Sequence, residues 1–130
     1  MKLDLLLTIA AIYLGVLGLG FMLAPRQLGI DVVPADASPA LIAYLRIFGG
    51  PFLGIAILNW LARKEPPSRA RDAIVLANIV GFGCVTAMDV SGVFTGESRP
   101  VAKLFLVIHF LMFMSFILAR RARLRPTAAT

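Results

Sequence analysis

The chain has 130 residues, 59% of them hydrophobic and 15% charged, with a mean hydropathy of +0.88 and a net charge of +6. A soluble domain averages roughly 45–50% apolar residues, so this composition calls for an apolar solvent and excludes an ordinary soluble domain. The basic excess does not indicate nucleic acid: the cations flank apolar runs instead of striping one polar face, and such flanks serve as topology signals and contacts to anionic lipid.

The first apolar segment covers about residues 4–24 and carries no charge from Leu5 to Ala24. About twenty helical residues span roughly 30 Å, the thickness of the hydrocarbon core. Pro25 and Arg26 end it. Its length, Asp4 in the preceding flank and the lack of a small-residue cleavage pattern make it a retained helix and not a secretory signal. A loop over 26–38 follows, with Asp31, Pro34 and Asp36. Ser38-Pro39 then reads as a helix start, Ser at the N-cap and Pro at the first helical position. The second segment covers about 39–62. Within it Pro51 lacks an N–H and clashes with the carbonyl of Ile47, which predicts a kink.

A turn rich in proline and charge, Arg63 to Asp72, leads into a third segment over about 70–93. That segment is apolar except for Asn78, Thr86, Asp89 and Ser91. A short loop, 94–99, and Pro100 precede the fourth segment, about 100–120, which contains His109. Basic residues from Arg120 to Arg125 close the chain, and 126–130 reads as a short disordered tail. The expected fold is therefore all-α: a single four-transmembrane-helix bundle over residues 1–125. Lys2, the second loop and the tail put most cations at one end, with only Arg26, Arg99 and Lys103 near the other. The positive-inside rule then places both termini in the cytoplasm. Trp60 falls at the inner interface and Tyr44 near the outer one, where aromatic belts form.

Helices in lipid associate by close backbone approach, so small residues should mark their contacts. The expected packing positions are Gly15 and Gly18 in the first segment, Gly50 and Gly54 in the second, and Ala77 and Gly81 in the third. Ionisable groups inside a bilayer are costly and face the protein interior. Arg46, Asp89 and His109 all fall in the outer half by helical rise. An Arg46–Asp89 ion pair is geometrically reasonable at that depth. Asn78 lies eleven residues from Asp89 and shares its face. Arg46, Asn78, Asp89 and His109 are thus the candidate ligand-binding cluster, and equally a set that could only fix helix register.

Catalytic signatures are missing: there is no nucleophile elbow, HExxH, Walker A or dinucleotide fingerprint. One histidine and one cysteine, Cys84, make neither a convincing metal site nor a disulfide. No metal, no cofactor and no enzymatic activity are expected; a His109/Asp89 dyad is the one catalytic arrangement left.

Some features point to a family. The first helix ends at Ala24-Pro25. The second carries Arg46-Ile47-Phe48-Gly49-Gly50 and then Gly54. An arginine-rich loop follows, and the third helix ends in a turn rich in small residues, Asp89 to Gly96. In these the chain resembles the DUF4345 group of small bacterial membrane proteins, within the wider DoxX-like assemblage. The resemblance implies a four-helix fold in the bacterial inner membrane and brings no catalytic residue with it. The expected function is an accessory or interaction bundle, its partners being membrane lipids and other membrane proteins or a second copy. The alternative is a binder or carrier of a small lipid-like molecule at the polar cluster. An ion or proton pathway is weaker, because the inner half offers little beyond Asn59 and Asn78.

Overall fold

The computed structural model describes residues 2–124; the expected disordered tail lies outside them. The fold is all-α, with no strand among the described residues. Its elements are α1 (Leu3–Leu23), α2 (Pro25–Leu28), α3 (Pro39–Ile47), α4 (Gly49–Ala62), α5 (Arg69–Thr95) and α6 (Ala102–Leu124). Four spans are long and apolar enough to cross a membrane: α1, the combined α3–α4 segment from Pro39 to Ala62, α5, and α6 from Ala102 to Arg123. Together they define a multi-pass membrane protein, in which backbone polar groups must be satisfied within each helix.

Local chemistry sets the boundaries. The Ser38 hydroxyl accepts from Leu41 N–H at 3.2 Å, with Pro39 at the first helical position. Ser68 caps α5 in the same way through Arg71 N–H, also at 3.2 Å. Gly96 ends α5 in the left-handed region, φ 74°, where the absence of a Cβ removes the steric penalty. The predicted kink at Pro51 takes the form of a break one turn earlier. Helix α3 stops at Ile47, Phe48 N–H turns back to the Leu45 carbonyl at 3.2 Å, and α4 starts at Gly49. The Ile47 carbonyl is the group that the Pro51 ring displaces.

Two compact units divide the chain. One is continuous, from Leu7 to Arg63. Its helices α1 and α4 approach at glycine: a Cβ on Gly18 would stand 3.0 Å from the Gly49 carbonyl oxygen, and one on Gly49 would meet Gly18 O at 2.6 Å and the Met22 side chain. Gly15 lies in ordinary contact with Ala56. Phe21 stacks on Phe52, with centroids 5.6 Å apart and planes at 4°. After α1 the chain makes one turn of helix, α2, opened by Pro25 at its first position, where the sequence reading has only loop. Arg26 then gathers the loop. Its guanidinium donates to the carbonyls of Ala35 at 2.5 Å and Ala37 at 3.2 Å. Asp31 turns the chain with a left-handed φ of 68°. At the far end of α4 the Arg63 guanidinium lies 3.4 Å from the Trp60 ring centroid and donates to the Trp60 carbonyl.

The other unit joins the start of α1, up to Leu6, to the chain from Lys64 on. Here α5 packs along α6. The buried residues Val75, Asn78, Phe82 and Thr86 recur every three or four positions on α5, as do Met112 and Phe116 on α6. Phe82 and Phe116 stack with centroids 6.0 Å apart. Gly83 admits the Phe113 ring, whose Cε2 would lie 2.9 Å from a Cβ there.

The small-residue expectation needs correction. Gly15 and Gly18 lie against α4, but Gly50, Gly54 and Gly81 have nothing within 4 Å of where a side chain would begin, and Ala77 is exposed. The residues that permit close approach are Gly49 and Gly83. A helix turns by 100° per residue, so a stripe displaced by one or two positions faces elsewhere.

Candidate functional site

The polar residues of α5 and α6 meet within one unit. Asp89 lies six residues before the end of α5, about 9 Å along the axis, and His109 lies seven residues after the start of α6, about 10 Å. The antiparallel pairing brings them level. Asp89 Oδ2 and His109 Nδ1 are 2.6 Å apart, with side chains 19% and 11% exposed. The two atoms share one proton in a short hydrogen bond between the helices.

Aromatic rings hold the imidazole. Phe105, one turn earlier on α6, has its centroid 6.1 Å from that of His109 with planes at 21°. Phe82 on α5 lies at 6.2 Å on a tilted plane. The Arg99 guanidinium sits 5.8 Å above the Phe105 ring, so a cation closes this end of the aromatic group.

Asn78 and Thr86, on the same face of α5, each donate to the preceding turn. Asn78, 4% exposed, donates from Nδ2 to the Ile74 carbonyl at 2.8 Å. The Thr86 hydroxyl donates to the Phe82 carbonyl at 2.7 Å.

Of the four candidate residues, then, the fold joins Asp89 to His109 and sets Asn78 three turns away on the same face. Arg46 stands exposed in the last turn of α3, in the Leu7–Arg63 unit. Asp89, expected to pair with Arg46, has its hydrogen bond with His109.

Two features escaped the sequence reading. Asn59, which the sequence places only in the inner half, is fully buried in α4. At the basic end, Arg71 pairs with Asp4 at 2.6 Å and Arg123 with Asp72 at 3.0 Å. The clustering of opposite charges at one end was the signal available for these pairs. Among the described residues no group of three or more His, Cys, Asp or Glu side chains is placed to hold a metal ion. The Asp89–His109 pair can lock two helices in register and orient the ring.

No family model, curated protein or solved structure matches the chain. The four apolar spans define the class, a multi-pass α-helical membrane protein.

Proposed function

We propose that this chain is an accessory membrane protein, a helical scaffold that packs against other membrane proteins or a second copy of itself. One observation carries the reading: Asp89 on α5 and His109 on α6 bond to each other across the helix pair, and Asn78 and Thr86 each donate to the preceding turn of α5. Bonds of this kind fix helix register. The exposed small residues Gly50, Gly54, Ala77 and Gly81 add support, since small residues let a neighbouring helix come close. The setting we propose is the bacterial inner membrane, with both termini cytoplasmic and the DoxX-like assemblage as the wider relation.

The test is native mass spectrometry of the protein released from nanodiscs, wild type beside Asp89→Asn, with thermal unfolding of both. The expected result is lower stability in the variant and the same bound masses in both samples. A discrete non-lipid mass held by the wild type and lost from Asp89→Asn would overturn the reading in favour of a binder or carrier of a small amphiphile.

A further inference from the structure

At the basic end of the α5–α6 pair lies a cleft of about 90 Å³, lined by Asp72 and Val75 from α5 and by Arg120 and Arg123 from α6. The spacing explains its shape. Residues three apart on a helix stand on one face, so each helix contributes two neighbouring side chains, and the antiparallel pairing sets them opposite each other. Val75 is 2% exposed and forms an apolar floor. Asp72 fixes Arg123 through one N–H, from Nη1 at 3.0 Å. A guanidinium has five such donors in a planar fork, so the bond orients Arg123 and spends only part of its capacity. Arg120 adds a second fork on the same side. With two arginines against one carboxylate, the mouth carries net positive charge, and Arg69 and Arg121 stand close by in sequence.

The geometry points to a binding site for a phosphate oxyanion, carried by the headgroup of an anionic phospholipid. Paired arginine forks match phosphate oxygens in number and plane. The cleft has room for a group the size of several waters. Its floor is apolar, and exposed Leu76 and Leu118 lie within one turn of it along α5 and α6, where acyl chains would run. The site lies where a membrane-spanning helix pair meets the headgroup layer, and a zwitterionic headgroup would set its own cation against the arginines. The inference stands apart from the accessory reading, because it uses none of the Asp89–His109 group.

The experiment uses the full chain in nanodiscs of phosphatidylcholine containing a minor share of phosphatidylglycerol, with retained lipid read by native mass spectrometry. The wild type should retain phosphatidylglycerol in preference to phosphatidylcholine. Removing a cation near an anionic headgroup should cost about fivefold, so Arg120→Gln should lower retention by that factor and the Arg120→Gln/Arg123→Gln pair by more than tenfold. Lys103→Gln, which removes a cation at the opposite end, should leave retention unchanged. Unfolding temperatures verify that the variants are folded; Arg120 is exposed, so its single substitution keeps the test valid if the pair fails to fold. Displacement of the lipid by millimolar inorganic phosphate would support the oxyanion site and assign it to soluble phosphate. Equal retention by wild type and Arg120→Gln, or no preference between the two lipids, would overturn the proposal.

Discussion

Asp89 and His109 illustrate how few atoms hold a helix pair in register. The bond at 2.6 Å joins two part-buried groups, and neither has bulk water as an easy substitute. Asp89→Ala removes one partner and leaves the part-buried ring nitrogen to find another, at a cost of about 1–3 kcal/mol. Reversible unfolding in mixed micelles should show that loss, and Asp89→Asn, which keeps an acceptor oxygen, should recover part of it. Glycines give a sharper contrast. A methyl group on Gly49 would meet backbone, the Gly18 carbonyl at 2.6 Å, and backbone does not move aside. Gly49→Ala should cost about 1–3 kcal/mol by overpacking. Its neighbour Gly50 faces open space, so Gly50→Ala should be neutral or stabilise by up to about 1 kcal/mol through the lost backbone freedom. If both alanines behave alike in thermal unfolding, the α1–α4 approach described above is wrong.

At the scale of elements, the break between α3 and α4 has a specific cause. Pro51→Ala would restore an N–H that can reach the Ile47 carbonyl, and α3 and α4 should then join into one straight helix. Spin labels at Leu41 and Leu61, both exposed, should move towards the separation of about 30 Å that twenty residues of straight helix give. An unchanged distance would assign the break to Gly49 and Gly50 instead. Such elements were legible because their causes are local: the Ser38-Pro39 start, the proline break and the four apolar lengths all follow from neighbours in sequence. The ends were less so. Helix α5 starts at Arg69 on its Ser68 cap, and α6 runs on to Leu124 through residues that read as a basic tail. What stayed hidden was azimuth. In lipid every face of a helix is apolar, so the contrast that marks the buried side of a soluble helix is missing. That is why composition alone does not tell Gly50 and Gly54, which face open space, from Gly49, which meets Gly18.

For the whole molecule, charge asymmetry is the feature with the widest reach. In chain order, Lys64, Arg69 and Arg71 fall at the start of α5 or just before it and Arg120 and Arg123 at the end of α6, whereas Asp36 falls in the loop after α1 and α2. The positive-inside rule sets the expected outcome. In a Cys84→Ser background, Asp36→Cys should react with a membrane-impermeant maleimide on intact cells, and Glu65→Cys should react only after lysis. The reverse pattern would invert the orientation and move the proposed phosphate cleft to the outer leaflet.

The two units also carry a timetable. The Leu7–Arg63 unit is one uninterrupted stretch, and the carbonyls that Arg26 gathers come from residues eight to eleven positions later. It can close while the rest of the chain is still being translated. Asp4 is different: its arginine lies 67 residues downstream, roughly 3–13 s away at bacterial or eukaryotic rates of synthesis. The first residues of the chain are thus among the last to settle. A ribosome stalled with only the first 60 or so residues outside its tunnel should hold a formed hairpin whose N-terminal end has yet to dock.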